Sequence, residues 1–211
     1  MTEDGGKLPP GGGNGSDDAF HIRLASSPEE IQQCQSLRHA IFVVEQNTPS
    51  DIELDGKDDQ AFHVVVCHAG DARNNETKRN DDSNGEQKPV IVGTGRVLVL
   101  PMEEQQQQQQ QQHQQESPTA TPITYKAVLG RIAVHSNHRG KGLGWRVVQE
   151  LEKVAKSKGA VHASLTPHHY LERFYCSLGY ELSPLKDGDK KNRLIYINEH
   201  CQLISMEKRL L

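Results

Sequence analysis

The sequence predicts an α/β (α+β) fold: a central mixed sheet with helices on both faces. Three observations carry this. The stretch 127–159 reads strand, glycine-rich turn, helix: AVLGRIAV is an apolar run of strand length, and Leu143, Val147, Val148, Leu151, Val154 and Ala155 then recur at helical spacing. Before it lie two more apolar runs, Phe62 to Cys67 and Val90 to Leu100, separated by polar, turn-like segments in the pattern of an antiparallel meander. Near the front, Ser27-Pro28-Glu29-Glu30 combines an N-cap, a proline at the first helical position and a glutamate that can reach back to the capping residue, so a helix starts there.

In chain order, Phe20 to Leu24 alternates and makes a first strand. The helix opened by Ser27 presents Ile31, Cys34, Leu37, Arg38 and Ile41 on one face and runs toward Glu45-Gln46, and 47–60 reads as a loop. The strands at 62–67, 90–100 and 127–134 follow, and this order puts the 71–88 segment at the same end of the sheet as the glycine turn, with the glutamine tract at the far end. A helix from about 142 to 158 is stopped by Gly159. Val161 to Leu165 is a strand parallel to 127–134 by a right-handed crossover. Leu171, Phe174, Tyr175 and Leu178 share one face of a last helix ended by Gly179, and 180–182, 194–197 and 203–208 supply the closing strands.

Composition bounds the rest. The hydrophobic fraction of 34% and mean hydropathy of −0.71 are low for one packed unit, and the deficit is local. Residues 1–19, 71–88 and 103–122, the last with eight consecutive glutamines, hold little to bury and are expected to be disordered, as an N-terminal tail and two inserts in one domain over 20–211. Four dispersed cysteines without a CxxC pair point to a reducing, cytoplasmic setting and, with His168-His169 adjacent rather than spaced, to no metal. No apolar run reaches the roughly 18 residues of a membrane span. A net charge of −4 without a basic, aromatic-interleaved patch argues against nucleic acid.

The chemistry centres on Arg139-Gly140-Lys141-Gly142-Leu143-Gly144, where glycines meet the unpaired amides of a helix start and can wrap an anion. Neither GxxxxGK[ST] nor GxGxxG matches. Glycines placed only for close packing are the structural alternative. Around the turn, 131–158 carries seven Lys/Arg against two Glu, whereas 45–59 carries six acids against one lysine. The acidic run favours a cationic acceptor, or is simply a solvated loop.

R-x-x-G-x-G after a strand resembles the pyrophosphate loop of the GCN5-related N-acetyltransferases (GNAT superfamily). His168-x-x-Leu-x-x-Phe174-Tyr175-x-x-x-Gly179-Tyr180 is similar to that family's N-x-x-A-x-x-F-Y-x-x-x-G-F segment, with His168 and Leu171 as departures. The stretch Leu37-Arg38 to Gln46, the acids Glu53, Asp55 and Asp58, and Gly130-Arg131 resemble its ElaA/YjcF-like branch. The resemblance covers about 20–100 and 123–210 and implies the GNAT acyl-CoA N-acyltransferase fold. It implies acetyl-CoA as co-substrate, without metal, held by Ile132, Ala133, Val134, Arg139, Gly140, Lys141, Gly142, Leu143, Gly144, Trp145, His168 and Phe174. Tyr175 would protonate the departing thiolate, or be a core aromatic. Glu45, expected to be part buried, would be the base, or pair with Arg38, Arg96 or Arg131. Glu53, Asp55 and Arg96 would line the acceptor pocket, with Glu53 and Asp55 as substitute bases. The expected activity is N-acetylation of a small primary amine, with a homodimer allowed and neither nucleic acid nor membrane as partner. Glucosamine-6-phosphate N-acetylation, protein N-acetylation and a non-catalytic acyl-CoA-binding module remain as alternatives.

Overall fold

A computed structural model of the protein describes residues 19–68, 90–102, 124–185, 193–199 and 201–210. The proposed inserts at 71–88 and 103–122, and the tail apart from Ala19, lie outside the described residues.

The alternating front strand β1 (Phe20–Leu24) is followed by α1 (Pro28–Arg38), whose Ser27 side chain accepts from the Glu30 amide. The reciprocal bond differs from expectation by one residue, since the Glu30 carboxylate accepts from the Ser26 amide at 2.7 Å. The helix does not stop at Arg38; it widens into a π-helical turn, His39–Glu45, that ends with the Gln46 amide on the Ile41 carbonyl. Within the expected loop a short helix, α2 (Ser50–Glu53), forms behind Pro49. Then come β2 (Phe62–His68), β3 (Val90–Pro101), β4 (Tyr125–Val134), α3 (Leu143–Ser157), β5 (Ala160–Leu165), α4 (Glu172–Ser177) and β6 (Glu181–Leu182). The chain closes with β7 (Ile195–Asn198), β8 (Cys201–Leu203) and β9 (Met206–Arg209).

Seven of these strands form one mixed sheet in the order β1-β2-β3-β4-β5-β9-β6. The β2, β3 and β4 pairings are antiparallel, as the meander predicts, and β4 with β5 is parallel, as the crossover predicts. The closing strands differ from expectation. β7 and β8 pair with each other outside the main sheet, with Leu203 also bridging His168, and the expected strand at 203–208 is broken, so that of it only β9 joins the main sheet, beside β6. The break is held by backbone bonds: the Ile204 amide donates to the Pro167 carbonyl and the Ser183 amide to the Ser205 carbonyl, both at 2.9 Å.

Side chains of β2 alternate between two cores. Val64 and Val66 pack with Val147, Val148 and Leu151 of α3, and Val65 and Cys67 pack with Cys34, Leu37 and Ile41 on the α1 side. Full burial of Leu151 or Val147 is worth about 1.5–3 kcal/mol each. Gly95 lets α3 lie directly on β3, because a Cβ there would meet Val147 Cγ1 at 2.6 Å and Leu151 Cδ1 at 2.8 Å. This contact fixes the height of α3, and hence of the glycine turn before it, against the strand ends.

Candidate active site

Strands β4 and β5 pair only from Tyr125–Val128 and Ala160–Ser164; beyond that no register links them. Their divergence leaves the later half of β4 with free backbone groups on the β5 side. A cavity of about 260 Å³ is lined there by Val128 to Ile132, by Leu165 to His168 and by Leu171 and Tyr175. On its other edge β4 bulges against β3: Gly130 faces Arg96 and Ala133 faces Thr94, one residue out of step. Arg131 occupies the bulge at φ 54°, a left-handed conformation uncommon outside glycine.

At the sheet end beyond β4, Gly140 and Gly142 have φ of 75° and 73°. A Cβ built on either meets nothing within 4 Å, so these glycines are required by backbone conformation and the space before them is open. The first helical bond of α3 runs from the Arg146 amide to the Gly142 carbonyl at 3.2 Å, leaving the amides of Leu143, Gly144 and Trp145 without an intrahelical acceptor. An open cradle of amides at the positive end of a 15-residue helix suits a diphosphate. Leu143 is buried and contributes only its backbone, whereas Trp145 is exposed. Lys141 lies over the Phe20 ring at 5.5 Å from its centroid, and the Phe174 ring lies beside Gly144, where an added Cβ would meet its Cζ at 3.8 Å. Residue 68, which precedes the 71–88 segment, reaches this same end: the His68 and His138 rings lie 5.1 Å apart.

Of the strand residues expected to line the coenzyme arm, Ile132 lines the cavity, Ala133 turns into the α1-side core and Val134 packs on the α3-side core. Tyr175 is buried, lines the cavity, and packs edge-on against Phe174 and Tyr180 at 4.9 and 5.9 Å between centroids. Burial pushes its phenol up to about 12. His168 lines the same cavity, is half-buried, and places Nε2 3.2 Å from Gln46 Oε1. Burial, then His169, lowers its pKa, so the imidazole is neutral at pH 7.

One wall is charged. Arg38 is fully buried and donates to Glu53 and to both Asp58 oxygens, at 2.8 and 3.1 Å for the latter. Arg96 makes two 2.7 Å bonds to Asp55 and one of 2.9 Å to Asp58. Arg131 lies 2.8 Å from the second Glu53 oxygen and donates to the Ile52 carbonyl at 2.5 Å, which ties α2 to the bulge of β4. The bond to Arg96 holds Asp55 down to about 2. Burial raises Glu53, with Arg38 and Arg131 opposing.

Glu45 is placed differently from its expected role. It is exposed rather than part buried, and Arg139 grips it with bonds of 2.6 and 2.8 Å, which lower its pKa. Its partner is not Arg38, Arg96 or Arg131, and an exposed, depressed carboxylate outside the cavity lining is a poor proton acceptor. The acidic loop is likewise less charged than its sequence suggests, since three arginines cover Glu53, Asp55 and Asp58. Glu53, Asp55 and Arg96 do line the cavity together. Phe42, from the Leu37 to Gln46 stretch, joins them, as do residues without a sequence signal: Thr48 just past the π-helical turn, and Ile197 and Cys201 from the β7–β8 hairpin. Among the described residues, no group of three or more His, Cys, Asp or Glu could hold a metal, and no helix is long and apolar enough to cross a membrane.

A profile of the Acetyltransferase (GNAT) family matches residues 77–180. Among curated proteins, the chain is similar to the uncharacterized N-acetyltransferase YjcF of Bacillus subtilis, 26% identical over 164 residues that span 78% of this chain and 87% of that protein. It is also similar to the uncharacterized protein YyaT of the same organism, 24% identical over 175 residues, or 80% and 90% of the two chains. Two solved structures share the fold. An N-acetyltransferase-like protein of Lactobacillus plantarum superposes with a TM-score of 0.59 at 22% identity, covering 92% of this chain and 99% of that one. Escherichia coli ElaA gives 0.55 at 18%, covering 90% and 98%.

Proposed function

Because the chain belongs to the GNAT acetyltransferase superfamily, we propose that it transfers the acetyl group of acetyl-CoA to the primary amine of a small molecule by direct attack. The observation that carries this reading is Tyr175: a buried phenol in the cavity at the divergence of β4 and β5, on the sheet whose end bears the open glycine turn. A packing tyrosine would not need to line that cavity.

Acetyl-CoA, when bound, supplies a thioester-activated acetyl group. The amides from Arg139 to Trp145 would hold its diphosphate, with Lys141 adding charge, and the free edge of β4 from Ile132 to Val134 would offer hydrogen bonds to its amide-bearing arm. Phe174 and neutral His168 would flank that arm. Glu53 takes the proton of the attacking amine. One of its oxygens accepts from Arg38 and the other lies 2.8 Å from Arg131 Nε, so each keeps a free lone pair, and burial makes it a better base than Asp55, which Arg96 holds down. Tyr175 keeps its proton at neutral pH and can donate it from Oη to the departing sulfur. A C–N bond forms, a C–S bond breaks, Glu53 gains the amine proton and sulfur gains that of Tyr175. Solvent then carries the proton from Glu53 back to Tyr175. The four cysteines, all free, suit a reducing compartment such as the cytoplasm.

The test is thiol release from acetyl-CoA across a panel of amines: polyamines, aromatic amines, amino acids, glucosamine 6-phosphate and short peptides. Release that depends on one small-amine class is the expected result. Tight acetyl-CoA binding with no release from any amine would replace this reading with that of a binding module, and release with peptides alone would replace it with protein acetylation.

A further inference from the structure

The acceptor end of the cavity does not carry the negative charge that the 45–59 run suggests. Arg38, Arg96 and Arg131 meet Glu53, Asp55 and Asp58 in equal numbers, so the buried cluster is close to neutral. One cation is left over. Lys57 lines the cavity at its solvent edge and takes part in no ion pair among the described residues. Its amide donates to Asp55 Oδ1 at 3.2 Å, which anchors its turn to the cluster. Asp51 and Asp59 are exposed but are not part of the lining. Elsewhere the lining is mostly hydrocarbon, including Phe42, Leu98, Leu171, Ile197 and Leu203.

Three acceptor classes meet this wall differently. The second cation of a polyamine finds no free carboxylate and faces Lys57. A sugar phosphate brings close to two negative charges against one free cation, and its hydroxyls would lose their hydrogen bonds to water against the hydrocarbon lining. An amine that also bears one carboxylate and an apolar side chain matches both the single free charge and the hydrocarbon. We propose that the acceptor is an apolar amino acid, its carboxylate held by Lys57 and its amine presented to Glu53. This assignment rests on the acyl-transfer reading above, and Lys57 is its specificity-determining residue.

The experiment measures thiol release from acetyl-CoA with leucine, leucinamide, isopentylamine and glucosamine 6-phosphate, with rates compared per unprotonated amine. Wild type, Lys57→Ala and Lys57→Arg are run side by side. Leucine is expected to exceed leucinamide and isopentylamine in kcat/KM by about tenfold, the scale of one well-placed charge contact. Lys57→Ala should collapse that ratio toward one through the KM for leucine, and Lys57→Arg should restore most of it. Isopentylamine or glucosamine 6-phosphate turned over as well as leucine, or a leucine preference that survives Lys57→Ala, overturns the assignment and leaves acyl transfer standing. No release with any of the four, or with the wider amine panel, overturns the transfer reading and this assignment with it.

Discussion

Arg38→Met removes a fully buried guanidinium, and its cost follows from what stays behind. Methionine fills much of the volume but leaves Glu53 and Asp58 each short of a donor. Breaking a buried ion pair costs about 3–5 kcal/mol. Here Glu53 retains Arg131 at 2.8 Å and Asp58 retains Arg96 at 2.9 Å, which puts the cost near the lower end, about 3 kcal/mol. With a urea m-value of about 2 kcal/mol/M, the unfolding midpoint should fall by about 1.5 M. The effect should also depend on pH. Burial acts to raise the Asp58 carboxyl, but bonds from Arg38, Arg96 and Gln35 outweigh it and hold the group well below the carboxylate range. A native pKa below the unfolded one stabilises the fold above the unfolded value, near pH 4, and that contribution is lost as pH falls through the native pKa. Without Arg38 the depression is smaller, so the penalty is full at pH 7 and shrinks below about pH 4. Urea melts of both proteins at pH 7 and pH 3.5 measure it, and Asp58→Asn in the Arg38→Met background should recover about 1 kcal/mol by removing a stranded charge. A midpoint within about 0.3 M of wild type at pH 7, or a penalty that grows as pH falls, refutes the reasoning.

Gly142→Glu, at φ 73° before the open cradle, should abolish acetyl-CoA binding by calorimetric titration through backbone strain and a carboxylate facing the diphosphate; unchanged affinity removes the cradle. Tyr175→Phe should lower kcat by about a hundredfold with little change in KM for acetyl-CoA; full activity with reduced thermal stability would leave Tyr175 as a packing residue. Deletion of 103–121 should leave kcat and acetyl-CoA affinity within about twofold, because the Met102 amide already donates to the Thr124 carbonyl at 2.8 Å and holds the ends together. A large loss there would place the tract at the site.

The order of strands and helices was legible because it rests on local periodicity. Leu143 to Ala155 repeats at helical spacing and is buried on that face, and β2 alternates between two cores as a strand covered on both faces must. The glycine turn was legible for the same reason, since left-handed φ at 140 and 142 is a property of single residues. The π-helical widening after Arg38 was not, and neither were helix α2 and the separate β7–β8 hairpin, which depend on distant supports: Arg131 holds the Ile52 carbonyl, and Asn198 Nδ2 reaches the Asn47 carbonyl at 3.3 Å.

Sequence alone thus determined the main strands and helices, their order and the glycine turn, all set by contacts within one or two turns of chain. Charge pairing was decided only by tertiary structure. Glu45 is 94 positions from Arg139, and Asp55 is 41 from Arg96. The sign of an ionisable group's surroundings depends on which opposite charge the fold brings within a few ångströms. Of six acids close together in sequence, three meet three arginines and become a nearly neutral wall with one free lysine at its edge, a property that no count over residues 45–59 contains.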